Sequence, residues 1–481
     1  MRDILKEILD TAKKTGVQYA DIRFRNTSEE LIQTNNDILK HYHRGDDVGV
    51  GIRVLKNGRW GFSATHNLKK DSLEKALKNA ISISDSTQNI GEKGIERTKE
   101  IPIIKKYKSK IEKDPFKVPF ENKIEILKNI HEKTSKNPLI KKTDGQLYFK
   151  KMHQILLTSE GSDLENDFYI SSGQYEAKAV NENGFQGRRF QEDPQQKGFE
   201  YIENLPLVAD AERIAEEAVM KLKAKSGPCG KRDLILLPSN LFLTIHESVG
   251  HPTELDRVLG WEANFAGTSF ATTEKLGKFK YGSNLVNFVA DNTLEYGLST
   301  WGWDDDGITG KKWDIVKDGI LVGYGTTREV AHYIGQNKST GCNFADSWKS
   351  QPINRIPNLY MLPGKENLTL DELIADTKDG LIIDGRDSFS IDQRRYNFQF
   401  GGDFVREIKN GKIGDVVKDV TYQSITPEFW NSCDAVCDER FFKPCGTLFC
   451  GKGEPVQLHH MTHGSAPARF RNISIGGAFN G

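Results

Sequence analysis

Residues 242–257, FLTIHESVGHPTELDR, hold two histidines and a glutamate at close spacing: His246, Glu247 and His251. Two imidazoles and a carboxylate on one helix are the parts of a zinc hydrolase. The imidazoles bind the ion, and the carboxylate takes a proton from the attacking water. That arrangement normally reads H-E-x-x-H, because residues four apart share a helical face. Here the histidines are five apart. In a regular α-helix such side chains diverge by roughly 140° around the axis and could not share an ion. Gly250 tolerates unusual backbone angles, and the Pro252 ring opposes continuation of the α-helix. The sequence therefore predicts a helix that widens into a π-type turn, or ends, at 250–252. Hydrogen bonds from i to i+5 would then bring His246 and His251 together. The plainer reading is a pair of hydrogen-bonded core histidines, but charge on a buried helix needs a reason, and a metal supplies one.

A catalytic zinc takes three protein ligands and keeps a position for water. By residue type the third ligand is open among Glu254, His332, Cys342, Cys450 and the run His459, His460 and His463. Glu254 is close to His251 in sequence, which makes a tetrahedron awkward. VQLHHMTHG (456–464) sets His459, Met461 and His463 on one side of a strand, where a polar strand face near a cleft is the simpler account. Asp304, Asp305 and Asp306 lack calcium-loop spacing and read as an acidic turn before Gly307. Cys433 and Cys437, spaced C-x-x-x-C, read as structural thiols. No Walker or dinucleotide loop is present.

The elements that must position these residues follow from periodicity. LILLP (234–238) reads as a buried strand feeding a helix that starts at Pro238, with Ser239 as N-cap and Phe242, Ile245 and Val249 as apolar stripe. Beyond about residue 285 the chain alternates like strands, with hairpin turns at Asp318-Gly319 and Asn410-Gly411. The amino-terminal half reads as a helix over 2–15, a strand in YADIRFRN, a hairpin over 48–66 about Asn57-Gly58 and a helix over 70–85. A connecting excursion at 93–119, a helix over 121–135, strands across 142–200 and a helix over 209–224 follow. The fold class is α+β. An amino-terminal α+β domain (1–225) precedes a β-rich domain (226–481), an antiparallel sheet or barrel carrying the buried helix. The polar, Gly- and Pro-containing stretch 224–233 joins them.

Composition narrows the class. The 481 residues carry 67 Lys and Arg against 67 Asp and Glu, so no basic field advertises nucleic acid as a partner. The amino terminus lacks the apolar core of a signal peptide, and no apolar run approaches a membrane span. A soluble cytoplasmic protein without membrane partners is the expectation. Six cysteines in this length are too sparse for a disulfide scaffold.

Several segments, in order along the chain, resemble the TldD/PmbA metallopeptidases. HESVGH is similar to that family's HE-xxx-H. CGKGEPV (450–456) is similar to its CGK-x-G segment, and GSAPARFRNISIGG (464–477) to its GSP-RF-NI-VGG. WDDDGITGKKWDIVKDGILVGYGTTREVAHYIG and RIPNLYMLPG also look like family stretches. The resemblance implies zinc as cofactor, His246, His251 and Cys450 as its ligands, and Glu247 as the catalytic carboxylate. Cys450 is chosen over Cys445 because it alone precedes Gly-Lys. The resemblance further implies hydrolysis of unstructured peptides or unfolded protein by a TldD-type subunit. That subunit would form a homodimer, or a heterodimer with a PmbA-type subunit. The alternative is a non-catalytic peptide-binding subunit of the same fold with a structural zinc, against which the intact Glu247 argues. The histidine-rich LHHMTHG is a local departure that other members of the family need not share.

Overall fold

A computed structural model describes residues 1–90, 94–182, 184–191 and 193–477. Residue 93 of the predicted excursion, and residues 183 and 192 of the predicted strand region, lie outside the described residues. The architecture is α+β. In the amino-terminal half, α1 (Arg2–Lys14), β1 (Tyr19–Asn35), β2 (Ile38–Lys56), β3 (Arg59–Thr65), α2 (Lys70–Ser86), β4 (Ile104–Lys108), α3 (Phe120–Thr134), β5 (Ile140–Thr158), β6 (Asp163–Asn181), β7 (Gly184–Gln191), α4 (Phe199–Asn204) and α5 (Ala211–Lys223) follow in order. The strands form one sheet, β3-β2-β1-β5-β6-β4, with β7 also paired to β6. Asn57 and Gly58 take positive φ of 51° and 70°, as the tight β2–β3 turn requires. The excursion contains a strand that periodicity missed: β4 runs parallel to β6. Its sequence, IKKYK, is mostly exposed and has no apolar face to read.

Strand alternation divides this sheet into two faces. Ile22 and Ile32 of β1, Leu147 and Phe149 of β5 and Tyr175 of β6 point toward α1, α2, α3 and α5. The opposite face meets the second half of the chain, where Tyr148, Met152, Phe168 and Ile170 pack on Leu298, Trp301, Phe344 and Leu448. Beside that apolar contact, Arg23 and Arg25 pair with Asp305 and Arg53 pairs with Asp306, all fully buried. The acidic turn predicted before Gly307 is thus a buried latch between the two halves.

The second half contains β8 (Lys225–Ser226), β9 (Gly230–Leu236), α6 (Pro238–Ile245), β10 (Phe288–Asp291), β11 (Lys312–Lys317), β12 (Ile320–Leu321), β13 (Asn343–Phe344), β14 (Ile353–Asn354), β15 (Leu359–Met361), β16 (Asp379–Ile391), β17 (Asn397–Lys409), β18 (Lys412–Lys418), β19 (Val420–Ile425), β20 (Cys433–Val436), β21 (Lys443–Lys452), β22 (Gln457–Ser465) and β23 (Ala468–Gly477). Strands β16, β9, β23, β19 and β17 pair in a ring that closes through β16–β17, a five-stranded barrel. A second sheet has the order β12-β11-β10-β15-β22-β21. Helix α6 lies between them and is buried on every side. Asn240 donates to the Gly385 and Gly401 carbonyls of the barrel at 2.9 and 3.0 Å, and Thr244 meets the Tyr422 hydroxyl at 2.8 Å. Ser239 does not cap this helix. Leu237 occupies the N-cap position, Pro238 opens the first turn, and the Ser239 hydroxyl donates to Asp384.

Candidate metal centre

The helix changes pitch where the spacing demands it. Residues His246–Gly250 form a π-helical turn, and the His251 amide donates to the His246 carbonyl, an i to i+5 bond. A 3-10 turn over His251–Thr253 follows, with Pro252 inside it. The extra residue is absorbed, and the two imidazole rings sit 4.8 Å apart. Gly250 is needed for a different reason from the one expected. Its φ of −58° and ψ of −65° are ordinary right-handed values. A Cβ there, however, would lie 3.0 Å from Cδ1 of Ile356.

Cys450 reaches the pair from β21, just after an irregularity in its pairing with β22. Its Sγ is 3.5 Å from Nε2 of His251. Ligand atoms of His246, His251 and Cys450 all lie within 4.8 Å of one another. Of the other candidates, Glu254 joins the site as a partner of His251 and not as a member of this trio. His332 packs against Tyr333 and Cys342 bonds Thr340, and neither belongs to the trio. His459 stacks on Phe344 and bonds Ser299, while His460 bonds Lys150 and the Leu448 carbonyl. All six cysteines are free thiols, and Cys433 and Cys437 belong to the apolar core.

Hydrogen bonds fix the tautomer of each imidazole. The Leu359 carbonyl can only accept, so Nδ1 of His463 carries the proton and donates to it at 3.1 Å. Burial lowers the His463 pKa to about 4, against the Leu359 bond, so the ring is neutral and its Nε2 accepts. Nδ1 of His246 lies 2.7 Å from that Nε2 and must donate. On the other ring, Nδ1 of His251 donates to Glu254 at 2.8 Å. Burial holds both His246 and His251 far below the usual imidazole range. Each therefore keeps a bare Nε2 for a cation. Glu254 is in turn held by buried Lys452 at 3.2 Å. Burial pushes the Cys450 thiol up to about 11, with Arg355 acting in the opposite direction.

Glu247 projects from the same π turn and is 6 % exposed. Burial raises its pKa, while Arg395 and Arg257 pull it down. The Arg395 guanidinium donates to the Glu247 carboxylate. Arg395 sits at the tip of the β16–β17 hairpin with φ of 61°. That tip is tied down by Arg257 to the Gln393 carbonyl at 3.0 Å and by Thr426 to the Arg395 carbonyl at 2.8 Å. Sequence reasoning missed Arg395; His463, a candidate ligand there with a polar strand face as the simpler account, lies beside the motif as the hydrogen-bond partner of His246.

The donor set suits zinc. Bonds of about 2.0–2.3 Å at tetrahedral angles put ligand atoms roughly 3.4–3.7 Å apart, the range of the Cys450–His251 separation. Two imidazoles and a soft thiolate favour zinc over calcium or magnesium. A second cluster, His153, Glu165 and Asp167, is half-buried, but Arg2 and Lys106 already neutralise Glu165.

Comparison with known proteins sets this arrangement in a class. The description "PmbA/TldA metallopeptidase C-terminal domain" matches residues 230–477, which include His246, Glu247, His251 and Cys450. The family's domain 1 and central domain match residues 20–84 and 113–225. The chain belongs to the PmbA/TldD metallopeptidase family. A metalloprotease of Methanothermobacter thermautotrophicus is 30% identical over 96% of both chains. A zinc metalloprotease TldD homolog of Saccharolobus solfataricus is 25% identical, covering 97% of this chain and 98% of its own. The crystal structure of TldE from Thermococcus kodakarensis superposes with a TM-score of 0.77 at 16% identity, over 98% of this chain and all of that one, and shares the fold. Among the described residues no helix is long and apolar enough to cross a membrane.

Proposed function

We propose that this protein is a zinc-dependent peptidase that hydrolyses unstructured peptides, with His246, His251 and Cys450 holding the ion and Glu247 as catalytic base. The observation that carries the reading is the π turn, which converts a five-residue spacing into two converging imidazoles opposite a thiol. A zinc ion held there supplies Lewis-acid polarisation of a peptide carbonyl. The remaining work falls to the chain itself. Glu247 takes a proton from the attacking water and delivers it to the leaving amine. Arg395 orients the carboxylate and opposes the upward pull of burial on its pKa. His463 and Glu254 keep the two imidazoles in the tautomer that can bind a cation.

The test is metal content and turnover of an unfolded peptide pool for wild type, Glu247→Gln and Cys450→Ala. Glu247→Gln keeps its zinc and loses about 10²–10⁴ in rate; undiminished turnover refutes the role of Glu247. Cys450→Ala loses zinc; unchanged metal content refutes its role as ligand. The rival reading, a peptide-binding subunit with structural zinc, draws on the Arg395 clamp over Glu247. It predicts a wild type that binds zinc and peptide without cleavage. Family membership supports extending the proposal to a cytoplasmic dimer, either of two copies or with a PmbA-type subunit.

A further inference from the structure

Regular alternation along β21 would point the Cys450 thiol the wrong way. Cys445 lies opposite His463 and Thr447 opposite Met461, so both share the face of β22 that reaches His246. Successive side chains alternate between faces, and Cys450 is an odd number of residues from each. It should therefore point away from the metal centre. Instead the register slips between Thr447 and Cys450. Leu448 and Phe449 together oppose the single residue His460, and Cys450 falls opposite His459. This is a β-bulge, one extra residue in one strand. A slip of one residue exchanges the two faces of a strand. Leu448 and Phe449 both turn toward the amino-terminal half. Leu448 packs in the cluster of Tyr148 and Met152, and the Phe449 ring is 6.5 Å from that of Tyr148. Cys450 returns to the face of Met461, packs on it and Ile356, and reaches His251.

The carbonyls on either side of Phe449 are both taken by side chains. The Leu448 carbonyl accepts from Nδ1 of His460 at 2.6 Å. The Cys450 carbonyl accepts from the Arg355 guanidinium at 2.5 Å, which also donates to the Gln457 carbonyl of β22 at 2.8 Å. Arg355 is 1 % exposed, and its bonds go to carbonyls and not to a carboxylate. His460 is in turn oriented from the other half of the chain. A carbonyl only accepts, so Nδ1 of His460 carries the proton, and its Nε2 accepts from Lys150 of β5 at 3.2 Å. Lys150 pairs with Glu29 of β1 at 3.2 Å. Contacts thus run from Glu29 through Lys150 and His460 to the Leu448 carbonyl, two residues from Cys450.

We propose that the β21 bulge turns Cys450 into the metal centre, and that His460, Lys150 and Arg355 are positioning residues for this ligand. The centre is then completed by the docking of the amino-terminal half, although none of its three ligands comes from there. This rests on the reading of Cys450 as a ligand.

Cobalt in place of zinc tests it, because a bound thiolate gives a thiolate-to-cobalt charge-transfer band. The ligand-field bands and the melting temperature report the rest of the site and the fold. Wild type should show the charge-transfer band and Cys450→Ala should lack it. A wild type without the band, or Cys450→Ala with it, refutes the ligand reading and the proposal with it. With that control met, His460→Leu is expected to weaken the band and to lower cobalt affinity about 10–100-fold, as loss of an outer partner does. Arg355→Met should act in the same direction. His460→Gln, whose amide can still donate to the Leu448 carbonyl, should restore most of the band. Lys150→Met alters neither strand of the hairpin and should weaken the band by less. A purely structural role predicts a lower melting temperature with band and affinity unchanged. That result in His460→Leu, or in Lys150→Met should His460→Leu not fold, overturns the proposal and leaves the ligand reading standing.

Discussion

His463 supplies the sharpest test of how the centre is held. The chain of bonds from the Leu359 carbonyl through His463 to His246 leaves one tautomer available to His246, with Nε2 free. Replacing His463 with Leu removes the acceptor and leaves a buried imidazole N–H unmatched. That costs about 1–3 kcal/mol. The His246 ring regains the other tautomer and some rotational freedom, both useless for holding a cation. Removing such an outer partner of a ligating histidine typically lowers metal affinity about 10–100-fold, which corresponds to about 1.4–2.7 kcal/mol, in line with the unmatched N–H. The assay is competition for zinc between the protein and a chromophoric chelator, with the melting temperature recorded alongside. His463→Gln, whose carbonyl oxygen can accept the same proton, should recover part of the loss. A folded His463→Leu protein with zinc affinity within twofold of wild type would refute the tautomer argument, since among the described residues no other hydrogen bond holds Nδ1 of His246.

Three further outcomes follow from the same geometry. Gly250→Ala places a methyl group 3.0 Å from Cδ1 of Ile356; overpacking of this kind costs about 1–3 kcal/mol, and Ile356→Val should restore part of the melting temperature. Arg395→Ala frees the Glu247 carboxylate from its ion pair and should lower kcat with zinc content unchanged; an unaltered kcat would show that the clamp does not position the base. Asp403 ties the halves together, bonding Lys221 of α5 at 2.6 Å and Arg188 of β7 at 2.8 Å. Burial raises its pKa, but those cations outweigh it and the net shift is downward. Its stabilisation is therefore present above about pH 4 and lost as pH falls through the lowered value. Asp403→Asn should flatten that acid arm in denaturant melts and cost about 3–5 kcal/mol at neutral pH by leaving buried Lys221 without its carboxylate, while Arg188 keeps Glu217 and Asp384.

Local chemistry made much of this legible in the sequence. Asn57-Gly58, Asp318-Gly319 and Asn410-Gly411 all take positive φ, as such turns demand. The stripe Leu5, Ile8, Leu9 and Ala12 is buried as its spacing requires. The distorted turn was legible because Pro252 and the five-residue spacing act within one helix. What escaped depends on residues far apart in the chain. Arg395 is 148 residues from Glu247, and His463 is 217 residues from His246. No period or propensity carries such register; it emerges only when the strands pair. β4 escaped for the opposite reason, having too little buried surface to impose a pattern.

The π turn itself needs those distant contacts. A widened turn satisfies its backbone less well than an α-helix and persists when its surroundings over-determine it. Here polar residues along the helix are held by several elements and, at its end, by the nearby Glu254. Asn240 is held by barrel carbonyls, Thr244 by Tyr422 and His246 by His463. Ser248 is held by Trp430 and His251 by Glu254. Rotating the segment back to α-helical pitch would break the last three bonds in a buried setting, where each unmatched group costs about 1–3 kcal/mol. The irregular spacing is thus stable because barrel and second sheet grip the helix from opposite sides. The same grip presents His246, Glu247 and His251 together.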